Sequence, residues 1–314
     1  MLFLWIGIIA AVIVLAVLIG AYVVYRMAFG RNDKVIGTPV DFPDSEYYTP
    51  YAEEMTRNIK LFLDIPYEDV YIKSHDGLKL HGKFYEGQKD KPVLIFFHGY
   101  RANATRDGSG IHTLGTVKGI NILVITQRSH NESEGKTITF GIKESIDALS
   151  WIRYVKSRFG EDKKVILWGI SMGAATVLTA AGRELPDNVL GIGADCGFSS
   201  PKEILKSVIK SMKLPVELSY QLVRLGGKIY GGFDVEETSA VDAMTRAKVP
   251  ILFIHGLDDD FVPCDMSRQN YDACVSDKQI LFVEKAGHGM SYYVDMKKTE
   301  EAVFAFLDKI MRDV

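Results

Sequence analysis

Lys164-Val165-Ile166-Leu167-Trp168 runs without a break into Gly169-Ile170-Ser171-Met172-Gly173, and Ala174-Ala175-Thr176-Val177-Leu178 follows at once. The first five residues have the apolar, β-branched character of a strand buried on both faces. The last five favour a helix. Between them lies Gly-x-Ser-x-Gly, a spacing with a physical reason. A serine on so tight a turn takes a strained backbone, and neighbours without side chains let the turn close. The turn lifts the hydroxyl clear of the sheet edge. It also sets the backbone N–H of Met172 at a helix N-terminus, where a developing oxyanion is stabilised. Ser171 is therefore the candidate nucleophile.

Similar apolar runs occur on both sides. Pro92–Phe97, Asn121–Thr126, Val189–Ala194, Pro250–His255 and Gln279–Val283 are five more buried strands. Asp69–Ser74 and Leu78–Tyr85 alternate in polarity around His75-Asp76-Gly77, the pattern of a hairpin closed by an Asp-Gly turn. Helical spacing marks Ile142–Ser157, Ser171–Arg183, Met266–Cys274 and Glu300–Arg312. A hairpin followed by strand–helix alternation predicts an α/β fold, with an eight-stranded, mostly parallel sheet and helices on both faces. Residues 65–314 form this domain. Residues 27–64, punctuated by Pro39, Pro43 and Pro50, look like a linker and lead-in with a short helix at Ala52–Phe62.

A serine hydroxyl needs a base. In a doubly wound sheet, functional residues sit beyond the carboxyl ends of the strands. His288, in Lys285-Ala286-Gly287-His288-Gly289, follows the last strand. The loop after Pro250–His255 carries Asp258, Asp259 and Asp260, any of which has the chemistry to orient an imidazole and stabilise its charged form. After the third strand comes Phe97-His98-Gly99-Tyr100, where Gly99 allows close approach and the N–H of Tyr100 is the second candidate oxyanion donor. His98 is expected to hold that loop by hydrogen bonds.

Composition narrows the alternatives. The 314 residues carry 37 Lys and Arg against 40 Asp and Glu, a net charge of −3 without the basic excess of a nucleic-acid binder. Cys196, Cys264 and Cys274 are too few and too irregular for a disulfide framework or a zinc site. No Walker sequence and no His-Glu-x-x-His occurs, so no metal and no organic cofactor is expected.

Met1–Tyr25 contains no Asp, Glu, Lys, Arg or His. At about 1.5 Å per residue it makes a helix of about 37 Å, against a hydrocarbon core of about 30 Å. A signal peptide would open with basic residues, whereas this segment opens MLFLW, and a buried core helix is shorter. The expectation is one transmembrane anchor over residues 1–26, with Trp5, Tyr22 and Tyr25 at the interfaces. Arg26, Arg31 and Lys34 follow it, although Asp33 lies among them. The positive-inside rule then favours a single-pass protein of the cell membrane with its C-terminal domain in the cytoplasm.

Residues 201–233, between the sixth and seventh strands, are expected to form a small helical lid of two or three helices broken at Pro215 and Gly226-Gly227. Its apolar residues (Ile204, Leu205, Val208, Ile209, Met212, Leu214, Leu218 and Leu222) either line an acyl pocket or pack on the body. Its six Lys or Arg against two Glu suit either a solvated face or contact with anionic headgroups.

Taken together, GISMG, HGLDDDFVP, AGHG and FFHGY resemble the α/β-hydrolase superfamily over about residues 65–314. The resemblance is nearest to bacterial serine hydrolases of the cinnamoyl-esterase-like and serine-aminopeptidase-like groups, some of which carry an N-terminal membrane segment. It implies a Ser171–His288–Asp259 triad, because the family pattern His-Gly-x-x-Asp-x-x-Val-Pro maps its acid onto Asp259. The loop Thr126–Gly135 departs from the family's usual sequence, with Asn131 where a glycine is usual. The implied activity is hydrolysis of a small-molecule carboxylic ester through an acyl-enzyme. An aminopeptidase-like amidase and an acyl-thioesterase would use the same residues. A catalytically silent interaction module is the alternative outside enzymes.

Overall fold

Eight strands form one sheet in the order β1-β2-β4-β3-β5-β6-β7-β8 in this computed structural model, which describes residues 1–42 and 46–312. They are β1 (Glu68–Lys73), β2 (Lys79–Tyr85), β3 (Val93–Phe97), β4 (Asn121–Thr126), β5 (Val165–Ile170), β6 (Val189–Asp195), β7 (Ile251–Gly256) and β8 (Lys278–Val283). β2 pairs antiparallel with β1 and β4, and every other pairing is parallel. All eight coincide with the expected strands to within two residues. Pro43, Asp44 and Ser45 of the polar lead-in lie outside the described residues.

The helices are α1 (Leu2–Ala28), α2 (Asp33–Ile36), α3 (Ala52–Leu63), α4 (Ala104–Val117), α5 (Glu144–Phe159), α6 (Met172–Ala181), α7 (Pro201–Ser211), α8 (Val216–Gly226), α9 (Ala240–Met244), α10 (Asp265–Ala273), α11 (Ser291–Val294) and α12 (Met296–Ile310). α4 was not foreseen. Its sequence ATRDGSGIHTLGTV holds three glycines and a short apolar stripe. Its start is set instead by Asn103, whose side chain accepts from the N–H groups of Thr105 and Arg106.

Strand alternation explains the continuous apolar runs. Val93, Ile95 and Phe97 of β3 face one core with Leu123, Leu167 and Trp151. Leu94 and Phe96 face the other, with Ile122, Trp168 and Phe306. A strand covered by helices on both faces has no solvent side to mark with polar residues.

A third apolar cluster lies beyond the carboxyl ends of the strands; it decides between two open readings of the helical insertion and corrects one expectation. Ile204, Leu205 and Ile209 of α7 are buried in it beside Tyr25 and Phe29 at the end of α1. The residues 201–233 therefore pack on the body and on α1, and none lines the cavity described below. As expected, α8 ends at Gly226, and the chain passes there directly into a different helical turn. This is a π turn, Gly227–Gly231, and Gly226 is needed there because a Cβ would stand 2.4 Å from the Ala21 carbonyl oxygen. The correction concerns residues 27–64, which are no free linker. Phe29 accepts from the Ile138 N–H at 2.7 Å, Arg31 donates to the Ser133 carbonyl, and α3 packs on α4.

Among the described residues, α1 is the one helix long and apolar enough to cross a membrane. Leu2–Val17 stands clear of the domain, exposed along its whole length.

Candidate active site

Ser171 ends the β5 turn with φ 55° and ψ −116°, a conformation that costs free energy in any residue with a side chain. The two flanking glycines make the turn possible. A Cβ on Gly169 would lie 2.2 Å from the Gly173 carbonyl oxygen, and one on Gly173 would lie 1.9 Å from that of Phe97. The Ser171 N–H donates to the Asp195 carbonyl at 2.8 Å, tying the turn to β6.

The hydroxyl of Ser171 lies 2.9 Å from His288 Nε2, and His288 Nδ1 lies 2.7 Å from Asp259 Oδ2. The carboxylate is an acceptor, so Nδ1 carries the proton and Nε2 accepts from the serine. Asp259 is itself held by the N–H groups of Phe261 and Val262 on Oδ1 at 3.0 and 2.8 Å. It is buried, whereas Asp258 and Asp260 are exposed. Burial works against its charge, but His288 and His255 hold its carboxyl below the usual carboxylate range. For His288, burial disfavours the imidazolium. The carboxylate of Asp259, reinforced by Asp195 and Asp107, outweighs that and raises its pKa.

The loop Gly99–Arg101 sits against the serine, since a Cβ on Gly99 would be 3.5 Å from that of Ser171. Among the described residues, the N–H groups of Tyr100 and Met172 have no protein acceptor. Two histidines hold this loop. His98 donates from Nδ1 to the Gly99 carbonyl and accepts the Gln127 N–H on Nε2. His130 accepts the Arg101 N–H on Nε2 and donates from Nδ1 to the Arg128 carbonyl. Burial lowers their pKa values to about 4 and about 3, so both are neutral and structural at neutral pH. Asp107 of α4 also accepts the Gly99 N–H, at 2.9 Å.

A cavity of about 250 Å³ opens beside Ser171 and His288. Phe96, Ile111, Leu114, Trp168 and Tyr292 give it an apolar wall, and Tyr48 from the lead-in closes one side. Tyr48 also donates to the His288 carbonyl at 2.9 Å.

Sequence reasoning missed Asp195 at the end of β6. Burial pushes its carboxyl up to about 7, against the opposing pull of His255 and His288. Its Oδ1 is buried with no hydrogen-bond partner among the described residues. Position at a strand's carboxyl end was the available signal, but β6 continues the apolar run with Cys196 and Gly197 and hides it. The roles of Asp107 and Tyr48 depend on α4 and the lead-in, which no local pattern announced.

The model of the prolyl oligopeptidase family matches residues 138–313, more than half of the chain. The YqkD protein of Bacillus subtilis is 28% identical over 244 residues, covering 76% of this chain and 78% of its own length. The α/β-hydrolase domain-containing protein WAV2 of Arabidopsis thaliana is 24% identical, with 78% and 80% covered. Among solved structures, the Pyrococcus furiosus esterase PF2001 superposes with a TM-score of 0.65 at 23% identity, over 79% of this chain and 92% of its own. Est1E of Butyrivibrio proteoclasticus, solved with ferulic acid, superposes at 0.61 with 18% identity, over 78% and 100%.

Proposed function

This chain belongs to the prolyl oligopeptidase family within the α/β-hydrolase superfamily and is a hydrolase, and from that premise we propose a membrane-anchored serine hydrolase of carboxylic esters. The observation that carries the proposal is the hydrogen-bonded series Asp259–His288–Ser171 at the mouth of an apolar cavity.

In this reading Ser171 Oγ attacks the acyl carbonyl carbon while its proton passes to His288 Nε2. Asp259 stabilises the imidazolium. The N–H groups of Tyr100 and Met172 receive the oxyanion, and the cavity takes the acyl group. As the tetrahedral centre collapses, the C–O bond to the alcohol breaks and the leaving oxygen takes the proton from His288. Water, deprotonated by His288, then attacks the acyl-enzyme carbonyl. It releases the acid, and the proton returns to Ser171.

Because the family is named for a peptidase, hydrolysis of an amide is the second reading. The same residues would also serve a thioester, and the thiohydrolase AneE of Aspergillus aculeatus is 30% identical over 118 residues, 37% of each chain. α1 serves as the single anchor, with the domain on the cytoplasmic side of the cell membrane by the charge of Arg26, Arg31 and Lys34.

The test is a panel of p-nitrophenyl esters, thioesters and aminoacyl amides with the full chain in detergent. Ester turnover should fall by about 10⁴-fold or more in Ser171→Ala, and fluorophosphonate labelling should vanish with it. Unchanged p-nitrophenyl acetate hydrolysis in that variant would refute the assignment.

A further inference from the structure

α1 has two halves with different surroundings. Leu2–Val17, sixteen residues and about 24 Å of helix, touches nothing in the domain. From Leu18 onward one face of the same helix is docked. Leu222 lies 3.4 Å from a Cβ built on Gly20, Gly226 closes against Ala21 and Tyr25, and Tyr230 donates to the Leu18 carbonyl. The opposite face stays apolar and uncovered, with Ile19 and Val23 about half exposed, while Tyr22 packs edge-on against Tyr230.

An apolar core of about 30 Å is longer than the free half of α1. Spanning it brings Leu18–Tyr22 into the membrane, and with them the part of α8 and the π turn that lies alongside. The surface there is suited to lipid. Leu222 meets Gly20 and Gly226 meets Ala21 and Tyr25, so α8 advances along α1 in the same sense. Leu218, one turn before Leu222, then points toward the free half of α1, and it is 75% exposed. Met212 and Leu214 before α8 and Ile229 and Tyr230 in the π turn after it are further exposed apolar side chains of this insertion. Such a patch beside a membrane helix is too apolar for an ordinary wet surface. Lys210 and Lys213 flank Met212 and have no ion pair among the described residues, while Lys206 pairs with Glu217, so the turn carries two cations suited to anionic headgroups.

We propose that the Met212–Leu218 turn and the π turn around Ile229 and Tyr230 insert into the near leaflet as an interfacial wedge, seating the domain in the bilayer surface. Such elements bury their apolar side by about 5–10 Å. The proposal rests on α1 being the membrane anchor, and its test separates the two.

Single cysteines replace Leu218, Ile229, Val12 on α1, and Val275 as an exposed control at the opposite end of the sheet, in a Cys264→Ser background. Each full-length variant is labelled with the environment-sensitive dye NBD and placed, one chain per disc, in nanodiscs of phosphatidylcholine and phosphatidylglycerol with or without nitroxide-bearing lipid. The expected result is blue-shifted emission and nitroxide quenching at positions 12, 218 and 229, and neither at 275. Quenching at 12 with 218 and 229 behaving like 275 overturns the wedge and leaves the anchor standing. A blue shift at 218 and 229 without nitroxide quenching means protein covers this face, and it also overturns the wedge. Absence of quenching at 12 removes the anchor and the wedge together.

Discussion

Arg101 donates from Nη2 to the carbonyl of Met27 at 2.9 Å, joining the loop beside Ser171 to the last turn of the apolar helix. The same nitrogen reaches the Gly30 carbonyl at 2.7 Å, and the Tyr100 hydroxyl donates to that of Ala28 at 2.9 Å. Carbonyls at a helix end lack intrahelical partners, so a guanidinium is a favourable cap there. Arg101 also has φ 49°, a strained value that its neighbours must maintain. Removing the cap should loosen the peptide N–H of Tyr100. Arg101→Ala is expected to lower kcat on p-nitrophenyl esters about tenfold, equal to ~1.4 kcal/mol, with little change in KM. Steady-state kinetics on the full chain would check this, and an unchanged kcat would show that the loop keeps its shape without the anchor.

Phe29 predicts the cost of separating the anchor from the domain. Its ring is fully buried, edge-on to Phe140 and Phe233. Phe29→Ala should destabilise the domain by about 3 kcal/mol or more, seen as a lower Tm in detergent by differential scanning fluorimetry. A fragment beginning after Gly30 should lose as much again through Tyr25 and expose an apolar groove.

Asp195 should contribute, after Asp259, to the position of the acid limb of the pH–rate profile. Its negative charge is one of the causes that raise the His288 pKa. Turnover needs neutral His288, so a raised pKa means activity is lost at a higher pH on acidification than for an ordinary histidine. Asp195→Asn removes that charge, which is present only near and above the carboxyl's own pKa of about 7, so the upper part of the acid limb of kcat/KM should move modestly to lower pH. A limb that stays in place, or moves upward, would count against any electrostatic link between the two residues.

Leu114 lines the cavity and is almost fully buried. Leu114→Trp should fill space meant for an acyl group. The ratio of kcat/KM for p-nitrophenyl octanoate over acetate is expected to fall about tenfold, ~1.4 kcal/mol. An unchanged ratio would indicate that the acyl group binds elsewhere.

The strands and the Ser171 turn were legible because their causes are local. A strand covered on both faces must be apolar throughout, and a turn in which a Cβ would fall 1.9 Å from Phe97 must have glycine there. The histidine after β8 and the acid cluster after β7 were legible because parallel strands deliver their carboxyl ends to one edge. α4 was hidden, since its helix is set by a cap at Asn103 and by packing rather than by propensity.

The amino-acid order by itself determined the sheet, the elbow, and an apolar segment of spanning length, because each follows from side chains within a few positions of one another. Spacing alone left three neighbouring aspartates open, and only the family pattern singled out Asp259; the tertiary structure decided that Asp259 is the one hydrogen-bonded to His288, that α8 packs along α1 while the insertion leaves the cavity unroofed, and that the lead-in supplies a cavity wall. It also decided that the Asp195 carboxyl at the end of β6 is buried, with no partner for Oδ1 among the described residues. These outcomes depend on surfaces brought together from distant parts of the chain, and burial, which governs both apolar contact and charge, exists only after that assembly.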